Sequence, residues 1–358
     1  MKDVLSHRGW VHVIVGGGDG TVMWVVEEAH NHKINTENMH IGMLPLGTGN
    51  DFSQSLGWGG RNPDPDVLIR DDCAVLKSMV TDWVGASSSK NDVWTVTLKV
   101  DDEDGVIYKK NHPLREGEHD IKELKTSMLL YCGIAKDAEL AYNVELHRTK
   151  SQCLNKLVYI WQGILISLHF FCCVGQRVHR VLRGLYHGTN TQAPAIFEVG
   201  LRHRGPRLYS NPEMLLCLNI NSYAGGAARD LWSSSWRCGT SQPLCADLLD
   251  AEQNPGDGQL EVLTLSRLLR AAMPTHRVLG GRRVFQGAPL HFEFKQRNYR
   301  DVETFFQVDG ESYKLKNPIS LTIEHRQQIR VLSKATLCLL VPLIMGSLRG
   351  PPIRGTHN

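Results

Sequence analysis

The hydrophobic pattern of this 358-residue chain changes character along its length. Val11-His12-Val13-Ile14-Val15 is a short β-branched run of buried-strand length. Val22, Val25, Val26 and Ala29 then recur at helical spacing, with Glu27 and Glu28 between them. Ile41-Gly42-Met43-Leu44 predicts a second short strand, and Asp71 to Trp83 a further helix. Prolines mark Arg61 to Asp66 as a loop, and Ala86-Ser87-Ser88-Ser89-Lys90-Asn91 has the composition of a linker. From Asp92 the period shortens to two, as in Val93-Trp94-Thr95-Val96-Thr97-Leu98. Further short strands are expected at Met214 to Ile220, Asp257 to Leu263 and Phe305 to Glu311. The pattern therefore predicts an α/β unit followed by a β-rich one.

Two longer apolar stretches stand apart from this pattern. Leu154 to Val174 has the length of a membrane span, roughly 20 residues. Asn155, Lys156, Gln162 and His169 interrupt it, so a buried helix is favoured over an interfacial contact, and either over a span. Ala335 to Met345 carries Pro342 and is too short to cross. Leu348 to Asn358 has the composition of a disordered tail.

Composition narrows the function classes. The chain is 42% hydrophobic and 22% charged, which suits a globular protein, and a formal charge of +3 gives no case for nucleic acid. Arginines gather from residue 177 onward, among them Arg177, Arg180, Arg183, Arg202, Arg204, Arg207, Arg267, Arg270, Arg277, Arg282 and Arg283. They form either a solvated face or a surface suited to anionic membranes. The nine cysteines include no C-x-x-C pair and no secretory signal precedes them, so a reduced, cytoplasmic protein is expected.

The chemistry concentrates in two loops. Gly16, Gly17, Gly18, Asp19, Gly20 and Thr21 join the first strand to its helix, the order that sets backbone N–H groups and a helix N-terminus against a phosphate. Pro45-Leu46-Gly47-Thr48-Gly49-Asn50-Asp51 follows the second strand. Either loop alone could be a tight connection; an aspartate and a threonine flanking the fourth glycine exceed what a turn requires. The spacing matches neither a dinucleotide-binding fingerprint nor a Walker A loop. Two acidic turns lie downstream. Asp257-Gly258 reads, on its residues alone, as a hairpin turn. Asp309 and Glu311 flank Gly310; on one strand they would point to the same side and could share a proton-accepting role.

Gly17 to Thr21 resembles the phosphate loop of diacylglycerol, sphingosine, ceramide and NAD kinases and of phosphofructokinases. Pro45 to Phe52 followed by Leu56-Gly57-Trp58-Gly59-Gly60 resembles eukaryotic-type diacylglycerol kinases in particular. Gly133 and Asp137, and the Asn219-x-x-Ser222-x-x-Gly225-Gly226 turn, are similar to parts of that family's accessory domain.

The resemblance implies an α/β nucleotide-binding domain of the NAD-kinase/phosphofructokinase type, followed by a β-rich accessory domain. The corresponding divisions are residues 1–86, 87–334 and an apolar segment with a tail at 335–358. It implies transfer of phosphate from ATP to diacylglycerol with Mg²⁺. Gly16, Gly17, Gly18, Gly20, Thr21, Gly47, Thr48, Gly49, Asn50 and Asp51 would hold the nucleotide, Asp257 the metal, and Asp309 with Glu311 the proton. Asp19, expected as an exposed loop carboxylate, would organise the loop or the metal shell and not act as base. Peripheral association with a membrane surface follows from a lipid substrate. The alternatives are a sphingoid-base or ceramide kinase and a catalytically inactive lipid-binding regulator. The second draws on a further expectation: a strand and glycine loop that the family places before Val11 are missing, which would leave Val11–Val15 as an exposed, aggregation-prone edge and the chain weakly active or inactive.

Overall fold

The computed structural model describes residues 9–147, 158, 177–200, 205–226, 228–235, 239–241, 247–266, 281–296 and 301–334. The expected helix at 154–174, apart from residue 158, and the expected segment at 335–358 lie outside these residues. Strand β1 (Val11–Gly17) runs into helix α1 (Asp19–Asn31), and β2 (Met39–Pro45) into the short helix α2 (Asp51–Ser55). β1 and β2 pair in parallel, and the buried stripe Val22, Val26 and Ala29 seats α1 on them. Helix α3 (Pro65–Val84) starts earlier than its apolar period implies. Asp64 caps it through the Asp66 amide and Pro65 fills its first turn, but left-handed φ at Asp71, Asp72 and Cys73 breaks it in two.

The serine-rich stretch expected as a linker is instead the start of β3 (Ser87–Val100). Its ladder partner decides this: Ser87 to Asn91 lie opposite Ser333 to Ile329 of the long strand β15 (Pro318–Ser333). Between them come β4 (Val106–Lys109), β5 (Glu123–Met128), β6 (Tyr131–Ala135), helix α4 (Lys136–Leu146), β7 (Leu182–His187), β8 (Ala195–Glu198) and β9 (Met214–Leu218). After these follow β10 (Leu260–Leu265), β11 (Gly281–Gly287), β12 (Leu290–Phe294), β13 (Glu303–Val308) and β14 (Glu311–Lys316).

One sheet has the order β1-β2-β15-β12-β7-β8, with β3 on the other side of β15 and β5 beyond it. The second has the order β11-β10-β9-β6-β13-β14-β4 and ends at His112–Pro113. Because β15 lies parallel to β2 through His40↔Arg330 and Ile41↔Val331, the last described strand extends the sheet of the first segment. The division expected at residue 86 is thus bridged by backbone hydrogen bonds.

Two cores follow from this topology. The first fills the space between the sheets, where Trp94, Leu98, Phe197, Phe292, Phe306 and Leu321 are buried. The second joins Val22, Val26, Ile41 and Phe52 to Tyr131, Leu216, Tyr223, Trp232 and Val331. This shared core buries apolar side chains of both segments against one another. Strand β1 forms the end of its sheet, with β2 its partner among the described residues. Among the described residues no helix is long and apolar enough to cross a membrane.

Candidate active site

The two glycine loops meet backbone to backbone. A Cβ on Gly47 would stand 2.6 Å from Gly18 Cα, so this contact excludes any side chain. Asn50, fully buried with φ 54°, shapes the second loop from within: its Oδ1 accepts the Gly47 amide at 2.8 Å, and its Nδ2 donates to the carbonyls of Gly47 and Gly60. Asp19 reaches across from the first loop. Its carboxylate accepts the Asp51 and Phe52 amides at 3.1 and 3.0 Å, capping α2 from the neighbouring loop. Burial pushes its pKa up to about 6 against those hydrogen bonds, with the nearby Asp51 charge adding to the rise. The expectation of an exposed Asp19 is therefore corrected: the helix N-terminus it serves draws it in.

Asp51 faces the other way. Its Oδ1 accepts Ser222 Oγ (2.7 Å) and the Gly226 amide (3.0 Å), and its Oδ2 accepts the Gly225 amide (2.8 Å) and the Tyr131 hydroxyl (3.2 Å). It was expected at the nucleotide, but its carboxylate fastens the second glycine loop to the accessory segment. Thr48 and Gly49 lie on the same loop. The Gly49 Cβ position is 3.7 Å from Gly225 Cα, which brings the Gly225-Gly226 turn against it.

Asp309 and Gly310 are the central residues of the β13–β14 hairpin. Val308 pairs with Glu311, and φ is 47° and 82° at the two turn residues, as a type I′ turn demands. The same-side argument for Asp309 and Glu311 fails here, because a turn replaces the pleat between them. Asp309 points inward: its Oδ2 accepts the Leu129 amide at 2.6 Å, and its Oδ1 those of Leu130 and Tyr131 at 2.9 and 3.1 Å. Burial raises its pKa to about 7 despite these amides, and the Asp19 charge contributes. Glu311 accepts from Lys109 Nζ at 2.9 Å and the Tyr313 hydroxyl at 2.8 Å; these partners outweigh burial and lower its pKa.

Gly20, Asp309 and Glu311 line one cleft of about 720 Å³. Its walls are the α1 face bearing Met23, Trp24, Glu27 and His30, and the sheet residues Thr95, Lys125, Ser127 and Arg326. At the Gly20 Cβ position nothing lies within 4 Å, so the first turn of α1 is open to a phosphate there. Asp257 is not brought to this cleft. Its turn is seated on β3, where Gly258 donates to Asp92, and its own carboxylate accepts the Gln259 amide at 2.9 Å. Burial and the Asp92 charge raise its pKa. Among the described residues no cluster of three or more His, Cys, Asp and Glu is placed to hold a metal.

Family models match both segments: the diacylglycerol kinase catalytic domain over residues 3–76 and the diacylglycerol kinase accessory domain over residues 127–312. The chain belongs to the diacylglycerol kinase family. It is 27% identical over 344 residues to diacylglycerol kinase 2 of Arabidopsis thaliana, covering 93% of this chain and 40% of that protein. With human diacylglycerol kinase theta the identity is 25% over 319 residues, covering 84% of this chain and 27% of the other. The chain thus spans well under two thirds of these relatives. Among solved structures it aligns with yeast NADH kinase at a TM-score of 0.37 and 8% identity, covering 96% of this chain and 68% of that one.

The family's Asn219–Gly226 motif does more than its reading as a turn implied. Asn219 Nδ2 donates to the Leu129 carbonyl at 2.7 Å and its backbone amide to the Leu130 carbonyl at 2.8 Å, while its Oδ1 accepts Trp94 Nε1 at 3.0 Å. This fixes the strap whose amides hold Asp309, while Ser222, Gly225 and Gly226 hold Asp51. The signal was available: small residues at fixed spacing after a buried strand. What was not legible was the partner of each.

Proposed function

We propose that this chain transfers the γ-phosphoryl group of ATP to diacylglycerol, giving phosphatidic acid, in the cleft between α1 and the sheet. One observation carries the reading: the open first turn of a glycine-loop helix and a carboxylate with a pKa near 7 line the same cavity. A base poised near neutrality suits removal of a hydroxyl proton.

Asp309 Oδ1 already accepts two amides and Oδ2 one. Oδ2 therefore keeps a lone pair for the acceptor's proton, while the Leu129–Tyr131 amides stabilise whatever negative charge remains. Gly20 and its neighbours on the two loops bind phosphate oxygens, and Asp19 holds those loops in mutual register. Glu311 supports the hairpin through Lys109. Mg²⁺ arriving with ATP needs one or two carboxylates and several waters, and would neutralise phosphate charge. Asp19, with one acceptor position left on each oxygen, could share in holding it. The Asp257 turn offers a single exposed carboxylate and is not among the residues that line this cleft.

The test is label transfer from γ-³²P-ATP to dioctanoylglycerol, sphingosine and ceramide in separate reactions, with Asp19→Ala as control. Labelled phosphatidic acid that disappears in the variant is the expected result. Label on a sphingoid base or ceramide instead refutes the acceptor. ATP binding without label on any lipid refutes the kinase reading and leaves a lipid-binding regulator.

A further inference from the structure

Arg326 occupies an unusual place in β15. The ladder pairs His325 with Trp94 and Gln327 with Val93, passing over Arg326, which is therefore the extra residue of a β-bulge. Bulges re-aim a side chain, and this one aims a guanidinium at α1 across the cleft. Its Nη1 donates to Glu27 Oε1 at 2.5 Å and to Ser127 Oγ at 2.7 Å, and its Nη2 to Glu27 Oε2 at 3.1 Å. Ser127 also donates to Glu27 Oε1 at 2.5 Å. Hydrogen bonding and the charge of Arg326 hold the Glu27 carboxyl below its usual range against the effect of burial.

These contacts use both Nη1 protons and one Nη2 proton. A guanidinium has five N–H donors, so the edge formed by Nε and the second Nη2 proton remains. That edge is a two-donor fork on a side chain only 22% exposed, and Arg326 and Lys125 both line the cleft. A parallel fork of this kind matches two oxygens of a phosphate, and Glu27 with Ser127 prevent the plane from turning away. Glu27 lies seven residues beyond Gly20 on α1, roughly 10 Å along the axis at 1.5 Å per residue. A nucleotide bound at the helix N-terminus would leave this fork to the acceptor side.

We propose that Arg326, oriented by Glu27 and Ser127 and assisted by Lys125, forms a binding site for the phosphomonoester of the lipid product. It holds the phosphate after transfer as the product leaves along the cleft. The source of the phosphate rests on the kinase reading above; the binding itself does not.

The experiment is calorimetric titration of the whole chain with dihexanoyl phosphatidic acid below its micellar concentration, and separately with ADP. It needs no turnover. Arg326→Gln should weaken phosphatidic acid binding about tenfold to a hundredfold, the range for a lost charge-assisted pair, with ADP binding within about twofold of wild type. Arg326→Lys, which keeps the charge and loses the fork, should resemble Arg326→Gln more than wild type. Should Arg326→Gln fail to fold because Glu27 is left unpaired, the Glu27→Gln/Arg326→Gln double variant removes both charges and must show the same loss. Unchanged phosphatidic acid affinity in the folded variants overturns the proposal, as does a wild-type protein that binds none. Equal weakening of ADP also overturns it, by placing Arg326 on the nucleotide. Arg326-dependent binding in a protein that labels no diacylglycerol would leave this site standing and refute the kinase reading instead.

Discussion

Replacing Asp51 separates two roles that its loop position alone would confuse. Its side chain is 2% exposed and accepts four hydrogen bonds, all from the accessory segment. A hydrogen bond to a charged group contributes about 1.5–3 kcal/mol net, but four cannot simply be summed, because the orphaned donors relax together. Each buried donor left without a partner costs about 1–3 kcal/mol, so a loss of about 3–5 kcal/mol is expected for Asp51→Ala. It is a large part of the roughly 5–15 kcal/mol that holds a typical native protein folded. Asp51→Asn keeps an oxygen for Ser222 and Gly226 and sets an amide group against the Gly225 N–H, so about half that loss is expected. Urea denaturation followed by far-ultraviolet circular dichroism measures it: with m near 3 kcal/mol/M, the alanine midpoint should fall by roughly 1 M or more. The reasoning is refuted if Asp51→Ala unfolds within about 1 kcal/mol of wild type while losing ATP affinity. Asp51 would then be a nucleotide ligand and the clamp incidental.

The other expectations concern the hairpin carboxylate and the Gly225-Gly226 turn. Asp309→Asn should lower kcat about 10²- to 10⁴-fold at saturating ATP, whereas Glu311→Gln, which loses only its Lys109 and Tyr313 contacts, should cost about tenfold or less; equal losses would restore the paired-carboxylate reading. The pKa values of Asp309 and Asp19 rise on folding from 3.8 to about 7 and about 6, so the native state binds more protons than the unfolded chain between pH 4 and 7. Stability should therefore be greatest below pH 4 from these groups and decline as pH rises through 6 and 7, with a shallower slope in Asp309→Asn; a stability curve flat over that range in the wild type would contradict the assignment. Gly226 has φ 77°, and a Cβ there would lie 1.9 Å from Gln54 Oε1. Gly226→Ala should cost well over 1 kcal/mol, and adding Gln54→Ala should recover part of it; strict additivity would show that the close approach is not the cause.

Much of the local architecture was legible from residue order. A β-branched run, three glycines and a helical stripe specify strand, loop and helix wherever the chain goes, because hydrophobic period and φ freedom are properties of neighbours in sequence. The second glycine loop, the period-two texture after Asp92 and the family resemblance were legible for the same reason. The family resemblance grouped Asp19, Asp309 and the glycine loops, and Gly20 and Asp309 line one cleft.

The partners of those residues were decided only by the tertiary structure. Ser87 to Asn91 has linker composition yet forms strand, since β15, more than two hundred residues later, supplies its hydrogen bonds. Asp309 and Glu311 follow the one-residue spacing of a strand face, but the hairpin places its turn between them and sends one carboxylate to a buried strap and the other to Lys109. Asp51 reads as a loop residue beside a phosphate; the Gly225-Gly226 turn captures it because two left-handed glycines direct their amides at one point. Arg326 has no motif of its own, and only the bulge in β15 turns it into the cleft. In each case the deciding energy is a hydrogen bond or a charge pair between segments distant in sequence, and such pairings depend on where the whole chain has folded.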